Sequence, residues 1–246
     1  MLKIHIDTKG YTEKPKEHIS IIKPRLQGAN TIKDIDLETL IKYIQRGYSI
    51  SPAVMDGKGC KAENWKEQRL FMVDIDNDKS DKPVLSVSNA LEICNRYNLP
   101  PAFYYYSFSH SEQKEKYRLC FVMNETVTNQ ALRAVIAQTL VKLFPQSDTS
   151  CTNADRIFYG TNKDVVICDL DEGITSECMC QNRFILINGV YKNIDLSFLR
   201  YINKGIVNTD NNTVVVNDWV DFKNYKTLED ALNLISYKSK MLERYE

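Results

Sequence analysis

The stretch RLFMVDIDND, residues 69–78, holds the tightest constraint on how this chain folds. Leu70, Phe71, Met72 and Val73 are apolar without interruption, and Ile75 follows. A strand with one wet face alternates apolar and polar residues, so this run describes a strand covered on both faces. Such a strand lies inside a sheet with packing layers above and below it. The run ends on two carboxylates. Residues i and i+2 of an extended chain share a face, so Asp74 and Asp76 project together while Ile75 turns inward. Two like charges side by side repel, and one resists ionisation unless a cation lies between them. Paired oxygen donors suit Mg²⁺ or Mn²⁺ and leave positions for water and phosphate. The plainer alternative is an exposed strand end whose aspartates open a turn with Asn77 and Asp78.

The rest of the chain supplies layers for that strand. The segment DIDLETLIKYIQRG predicts a helix, with Asp36 as cap, Leu37, Leu40, Ile41 and Ile44 on one face, and Gly47 at its end. YSISPAV reads as a short strand and DGKGCKAENWKEQ as a basic loop. VLSVSNALEICNRYN predicts a second helix, PPAFYYYSFSH an aromatic strand, SEQKEK a hairpin loop and KYRLCFVM another strand. NQALRAVIAQTLVKLF carries Leu132, Val135, Ile136, Leu140 and Leu143 at helical spacing, and RIFYG and VVICDL read as short strands. This order mixes hairpins and crossovers, which favours an α+β fold or a mixed sheet over a doubly wound parallel one. The chain divides into a core over residues 1–180 and a C-terminal extension over 181–246. In the extension, RFILINGVYKNIDL suggests a hairpin around Asn188 and Gly189, and TLEDALNLISYKSKMLERY a terminal helix.

Composition narrows the class. The 246 residues are 43% hydrophobic, and 32 basic residues balance 32 acidic ones, which argues against a uniformly basic nucleic-acid sleeve but not against a local basic groove. No apolar run approaches bilayer length, and the N-terminus MLKIHIDTKG has no signal-peptide core, so a cytoplasmic protein without membrane contact is expected. Seven scattered cysteines fit reduced thiols. The C-x-C spacing of Cys178 and Cys180, with no histidine near in sequence, argues against structural zinc.

Two further motifs keep company with the acid pair. In YYYSFSHSEQKEKYRLCF, His110 lies where an aromatic strand meets a polar loop. Ser107, Ser109 and Ser111 surround it, and Lys114, Lys116 and Arg118 follow, a donor and cation set suited to polyphosphate. A structural histidine beside a solvated hairpin tip is the alternative. In SDTSCTNADRIFYGTN, Asp148 follows a helix, Arg156 could bind a triphosphate with both guanidinium arms, and Gly160 with Asn162 marks a tight turn. An aspartate after a helix is ordinarily a turn residue.

In this order and spacing, VDID, SFSHSEQKEKYRLCF and SDTSCTNADRIFYGTN resemble the motifs of the archaeo-eukaryotic primase superfamily. The match looks closest to the primase-polymerases of bacterial mobile elements, phages and plasmids, and covers roughly residues 35–166. The resemblance implies an RRM-like sheet packed on an N-terminal α/β unit. It implies that Asp74, Asp76 and Asp148 hold two catalytic Mg²⁺ or Mn²⁺ ions. It also implies that His110 and Arg156, with Lys116 or Arg118 and Ser109, meet the triphosphate, and that Asn162 shapes the nucleotide pocket. The family's histidine motif has a serine two residues before the histidine; here that residue is Phe108, which leaves the serine's role unassigned. Asp155 competes with Asp148 as third acid, and Asp148 is preferred because it opens the motif.

The implied reaction joins an NTP or dNTP to a 3′-hydroxyl on a single-stranded or primed DNA template. Lys58, Lys61, Trp65, Lys66 and Arg69 are candidates for template contact, against a flexible loop with a core-anchoring tryptophan. Asp74→Ala and Asp76→Ala are each expected to abolish incorporation while leaving the fold largely intact. No GxxxxGK(S/T) loop occurs, so a helicase partner would lie on another chain or a missing C-terminal part. The rival functions are a non-catalytic replication-initiation or nucleic-acid-binding module and a metal-dependent nuclease.

Overall fold

A computed structural model describes residues 1–26, 31–56, 61–168, 173–176, 178–179 and, as backbone, 206–209 and 212–215. Fourteen elements follow in chain order: β1 (Leu2–Ile6), α1 (Ile19–Leu26), β2 (Ile32–Ile35), α2 (Leu37–Gln45), β3 (Ile50–Ser51), β4 (Ala53–Met55), β5 (Trp65–Ile75), α3 (Val87–Arg96), β6 (Phe103–Tyr106), β7 (Tyr117–Val127), α4 (Gln130–Leu143), β8 (Val165–Ile167), β9 (Ile206–Thr209) and β10 (Asn212–Val215). They form a mixed α+β fold.

The apolar run at 70–73 lies in β5, an inner strand of a five-stranded sheet ordered β4-β5-β7-β6-β8, with every named pairing antiparallel. It is covered on both faces, as its composition requires. Phe71, Val73 and Ile75 pack with Leu119 and Phe121 of β7 against α3 and α4, through Ala90, Cys94, Val135, Ile136 and Leu140. Leu70 and Met72 point the other way. They join Phe103, Tyr105 and Cys120 against Ile4 and Ile6 of β1 and Leu40, Ile41 and Ile44 of α2. Each fully buried side chain of this kind contributes about 1.5–3 kcal/mol.

The second layer contains a three-stranded sheet ordered β2-β1-β3. Local periodicity predicts none of β1, α1 or β2. β1 has only five residues, with His5 buried in place of a hydrophobe, and α1 carries Pro24 in its interior. The helix over residues 37–45 forms as expected. Asp36 accepts from the Thr39 N–H at 2.7 Å, and Gly47 leaves the helix at φ +77°. Ser86 and Asn129 cap α3 and α4 in the same way.

Two expected boundaries move. β5 begins at Trp65, inside the stretch read as a loop. There buried Trp65 and Gln68 flank the polar pair Lys66 and Glu67, and the first half of the strand pairs with β4. RIFYG does not form a strand. Phe158 alone exchanges two 2.8 Å backbone hydrogen bonds with Ile50, because β3 is only two residues long. The hairpin expected at 183–196 and the terminal helix expected at 227–245 lie outside the described residues, as do Lys58 and Cys180. No described helix is long and apolar enough to cross a membrane.

After Phe158 the chain threads through a gap that admits only glycine. A Cβ on Gly160 would come within 2.6–2.7 Å of the backbone of Ile44, Gly47 and Tyr48. Gly160→Ala should therefore cost about 1–3 kcal/mol, the range for overpacking a rigid site, read as a lower urea midpoint.

Candidate metal and nucleotide site

β-sheet register builds the first half of the site. Asp74 on β5 lies opposite Arg118 on β7, and Arg118 lies opposite Tyr105 on β6. The three side chains form one cross-strand row. Arg118 Nε donates to Asp74 Oδ1 at 3.1 Å and Nη2 to Oδ2 at 3.4 Å. Nη1 donates to the Tyr159 carbonyl at 2.6 Å, and the guanidinium lies 5.5 Å from the Tyr105 ring centroid. Both ions are nearly enclosed, with side-chain exposures of 8% for Arg118 and 9% for Asp74. Burial disfavours the Arg118 charge, but Asp74 and Tyr105 together outweigh it and hold the guanidinium firmly protonated.

The second half is set by a short main-chain pairing. After α4 the chain runs back along the end of β5, and Ser147 forms an isolated antiparallel bridge with Ile75. The Asp148 N–H donates to the Asp74 carbonyl at 2.8 Å, and the Asp76 N–H to the Gln146 carbonyl at 3.4 Å. Gln146 is buried, and its amide binds the 79–83 loop, donating to the Lys79, Lys82 and Pro83 carbonyls at 3.0 Å. Asp148 caps the 3₁₀ turn Thr149–Thr152, accepting from the Ser150 N–H at 2.8 Å and the Ser150 hydroxyl at 2.6 Å. Burial raises its pKa, but these bonds and the Arg156 guanidinium overcome that and hold it below the usual carboxylate range.

Two segments distant in sequence thus deliver three acids to one place. One oxygen from each of Asp74, Asp76 and Asp148 can be chosen so that all lie within 4.8 Å of one another. Three hard oxygen donors at this spacing fit a divalent cation of the Mg²⁺ or Mn²⁺ type, and nothing in the set favours a softer metal. Asp155, the competing third acid, is not in the cluster; it forms an ion pair with Lys23.

Cations ring the acids. Arg156 Nη2 lies 2.7 Å from Asp148 Oδ2 and 3.7 Å from Asp74 Oδ2. Lys116 Nζ lies 3.3 Å from Asp76 and 2.9 Å from Asp78. Burial works against the Lys116 charge, but Asp78 and Asp76 raise its pKa overall. Asp74, Asp76, Lys116, Arg118 and Arg156 line a cleft of ≈ 370 Å³ together with Ser107, Phe108 and Ser109. Asn153, Asp155, Ile157 and Tyr159 line it too, and Lys14, Ile19 and Lys23 add a further wall. That wall went unread in the sequence because it belongs to no motif and arrives only through packing of α1, where Ile22 and Leu26 meet Ile157.

His110 sits in the turn between β6 and β7. Its Nδ1 accepts from the Lys116 N–H at 3.3 Å, so the neutral ring carries its proton on Nε2 as a donor. The ring packs on Tyr106 at 4.1 Å. Burial, then the Lys163 ammonium, lowers its pKa. Lys163 donates to the Ser107 and His110 carbonyls and so braces the turn.

The other expected residues lie elsewhere. The Asn162 amide donates to the Thr12 carbonyl at 2.9 Å. Arg69 spends its guanidinium on the carbonyls of Met123, Met1 and Asn124. The Trp65 indole is 9% exposed and donates to Gln68 at 3.3 Å. Lys61 and Lys66 are exposed, with Lys61 3.6 Å from Glu63.

No protein-family profile matches the chain, and no curated protein sequence does. Among solved structures, the chain is similar to the AEP domain of the cyanophage S-2L primase-polymerase. Identity is 12% and the TM-score 0.40, over 61% of this chain and 78% of that one, a loose likeness.

The buried pair revises what truncating Asp74 does. Asp74→Ala strands Arg118 inside the sheet and should cost about 3–5 kcal/mol in urea unfolding, whereas Asp76→Ala should cost under about 1 kcal/mol. Asp74→Asn is the cleaner probe of chemistry. By NMR, His110 should titrate below 6.5. Because its folded pKa is depressed, its contribution to stability is complete above the unfolded value and declines as pH falls through the folded one.

Proposed function

We propose that this protein is a template-directed nucleotidyltransferase, a DNA primase or polymerase that adds NTPs or dNTPs to a 3′-hydroxyl. The convergence of Asp74, Asp76 and Asp148 beside a cleft rimmed with cations carries this reading. The motif order in the sequence supports it independently. In this reading the three aspartates hold two Mg²⁺ or Mn²⁺ ions, which would supply Lewis acidity for the attacking hydroxyl and the leaving pyrophosphate.

The remaining work falls to fixed charges. Arg156 and Lys116 take the charge of the triphosphate, with the Ser109 hydroxyl beside them, and His110 offers Nε2–H as a neutral donor. Arg118 serves from behind, as the buried counter-ion that sets the Asp74 rotamer. No side chain is assigned as general base, because catalysis of phosphoryl transfer rests on positioning and charge neutralisation. The core is assigned to residues 1–180, with 181–246 as an accessory part. Exposed Lys61 and Lys66, with Lys58, are assigned to template phosphates. The setting is the cytoplasm, in the replication of a mobile element or repair linked to it.

Asp76→Asn and Asp148→Asn should each lower primer extension on a DNA template by roughly a hundredfold or more, with unfolding midpoints close to the parent. Extension at the parent rate by either variant contradicts the assignment. Metal-dependent loss of labelled DNA without nucleotides would instead favour a nuclease.

A further inference from the structure

Two arginines contact the acid cluster, and they are held very differently. Arg118 is enclosed at 8% side-chain exposure, with Nε and Nη2 on Asp74, Nη1 on the Tyr159 carbonyl and its plane beside Tyr105. It has nowhere to go. Arg156 is 31% exposed, and its Nε is buried without a hydrogen-bond partner. Its Nη1 meets the Ser150 hydroxyl, and Nη2 lies between Asp148 Oδ2 and Asp74 Oδ2, at 2.7 and 3.7 Å. An ion bridging the cluster needs oxygens from those same two carboxylates at about 2.0–2.1 Å for Mg²⁺. A guanidinium nitrogen between them and a metal ion between them exclude each other sterically and repel electrostatically.

We propose that Arg156 is an exchangeable counter-ion that competes with the divalent metal for Asp148 and Asp74, and that it leaves the acids when metal and triphosphate arrive together. This rests on the metal reading of the cluster. The exchange breaks no covalent bond. The guanidinium gives up two carboxylates, the metal takes them, and the triphosphate supplies a replacement anion for the arginine. Metal alone must displace Arg156 with no compensation. Metal with nucleotide offers it a new partner, so the acids favour the metal–nucleotide pair over free ions. Arg156 is thus a gate on metal loading as well as a contact for phosphate. The unpartnered Nε fits a side chain whose resting position is one of two.

The test is Mn²⁺ binding without nucleotide, followed by electron paramagnetic resonance of the free ion, in wild type, Arg156→Gln, Arg156→Lys and Asp148→Asn. Arg156→Gln should bind Mn²⁺ about tenfold tighter than wild type, the size expected when one charge-assisted contact no longer competes. Arg156→Lys should be tighter by roughly threefold, since a single ammonium spans the two carboxylates less well. It keeps the test open should the glutamine variant unfold. Both variants should bind Mg²⁺-dNTP more weakly than wild type. Equal or weaker Mn²⁺ binding by the folded variants overturns the exchange. If Asp148→Asn matches wild type in Mn²⁺ binding, the metal reading itself falls and the exchange with it. If binding depends on Asp148 but not on Arg156, the exchange alone falls.

Discussion

One backbone hydrogen bond, from the Asp148 N–H to the Asp74 carbonyl, fixes the geometry on which the site depends. Side chains on separate segments would otherwise have to find one another at an entropic cost of about 1–2 kcal/mol per ordered residue. Here a short bridge at Ile75 and Ser147 converts the end of β5 and the loop after α4 into a paired unit. Gln146 anchors that unit from behind by hydrogen bonding to the 79–83 loop. The carboxylates are thus carried on main chain already committed to structure. That places precision in the backbone.

The same scaffold explains how a sheet tolerates an acid in its interior. Asp74 is set on the face shared with Arg118 and Tyr105, so its charge is met in the next strand and the partner's charge is met by an aromatic ring and a carbonyl. A buried pair of this type adds little to stability, but removing one member is costly. Asp76 is different. It lies just past the strand end, 36% exposed, beside the Lys116 ammonium. The pair that looked alike in the sequence is therefore divided between a structural and an open role.

What the sequence could show followed from local pattern. The apolar run at 70–73 implied two covering layers because no other environment accepts it. Asp36 and Gly47 marked a helix because caps are local chemistry. The two-residue spacing of Asp74 and Asp76 placed them on one face. The limits are equally physical. The first residues of β5, Trp65 to Gln68, were hidden because they lack apolar alternation and read as a polar loop. β1 and α1 depend on packing partners far along the chain, so Lys14, Ile19 and Lys23 gave no signal that they would wall the cleft. The motif resemblance grouped Arg118 and Arg156 as triphosphate contacts; only coordinates separate an enclosed guanidinium from a partly exposed one. Asn162, Arg69 and Trp65 were legible as polar or aromatic residues near motifs, yet their donor groups meet other parts of the chain.

The central claim is that three aspartates form one divalent-ion site next to a nucleotide. Crystals grown with Mn²⁺ and a non-hydrolysable dNTP, measured at the manganese absorption edge, test it most directly. The account predicts anomalous density within bonding distance of Asp74, Asp76 and Asp148, with the triphosphate reaching the same ion. An ordered nucleotide whose ion touches none of the three would contradict it.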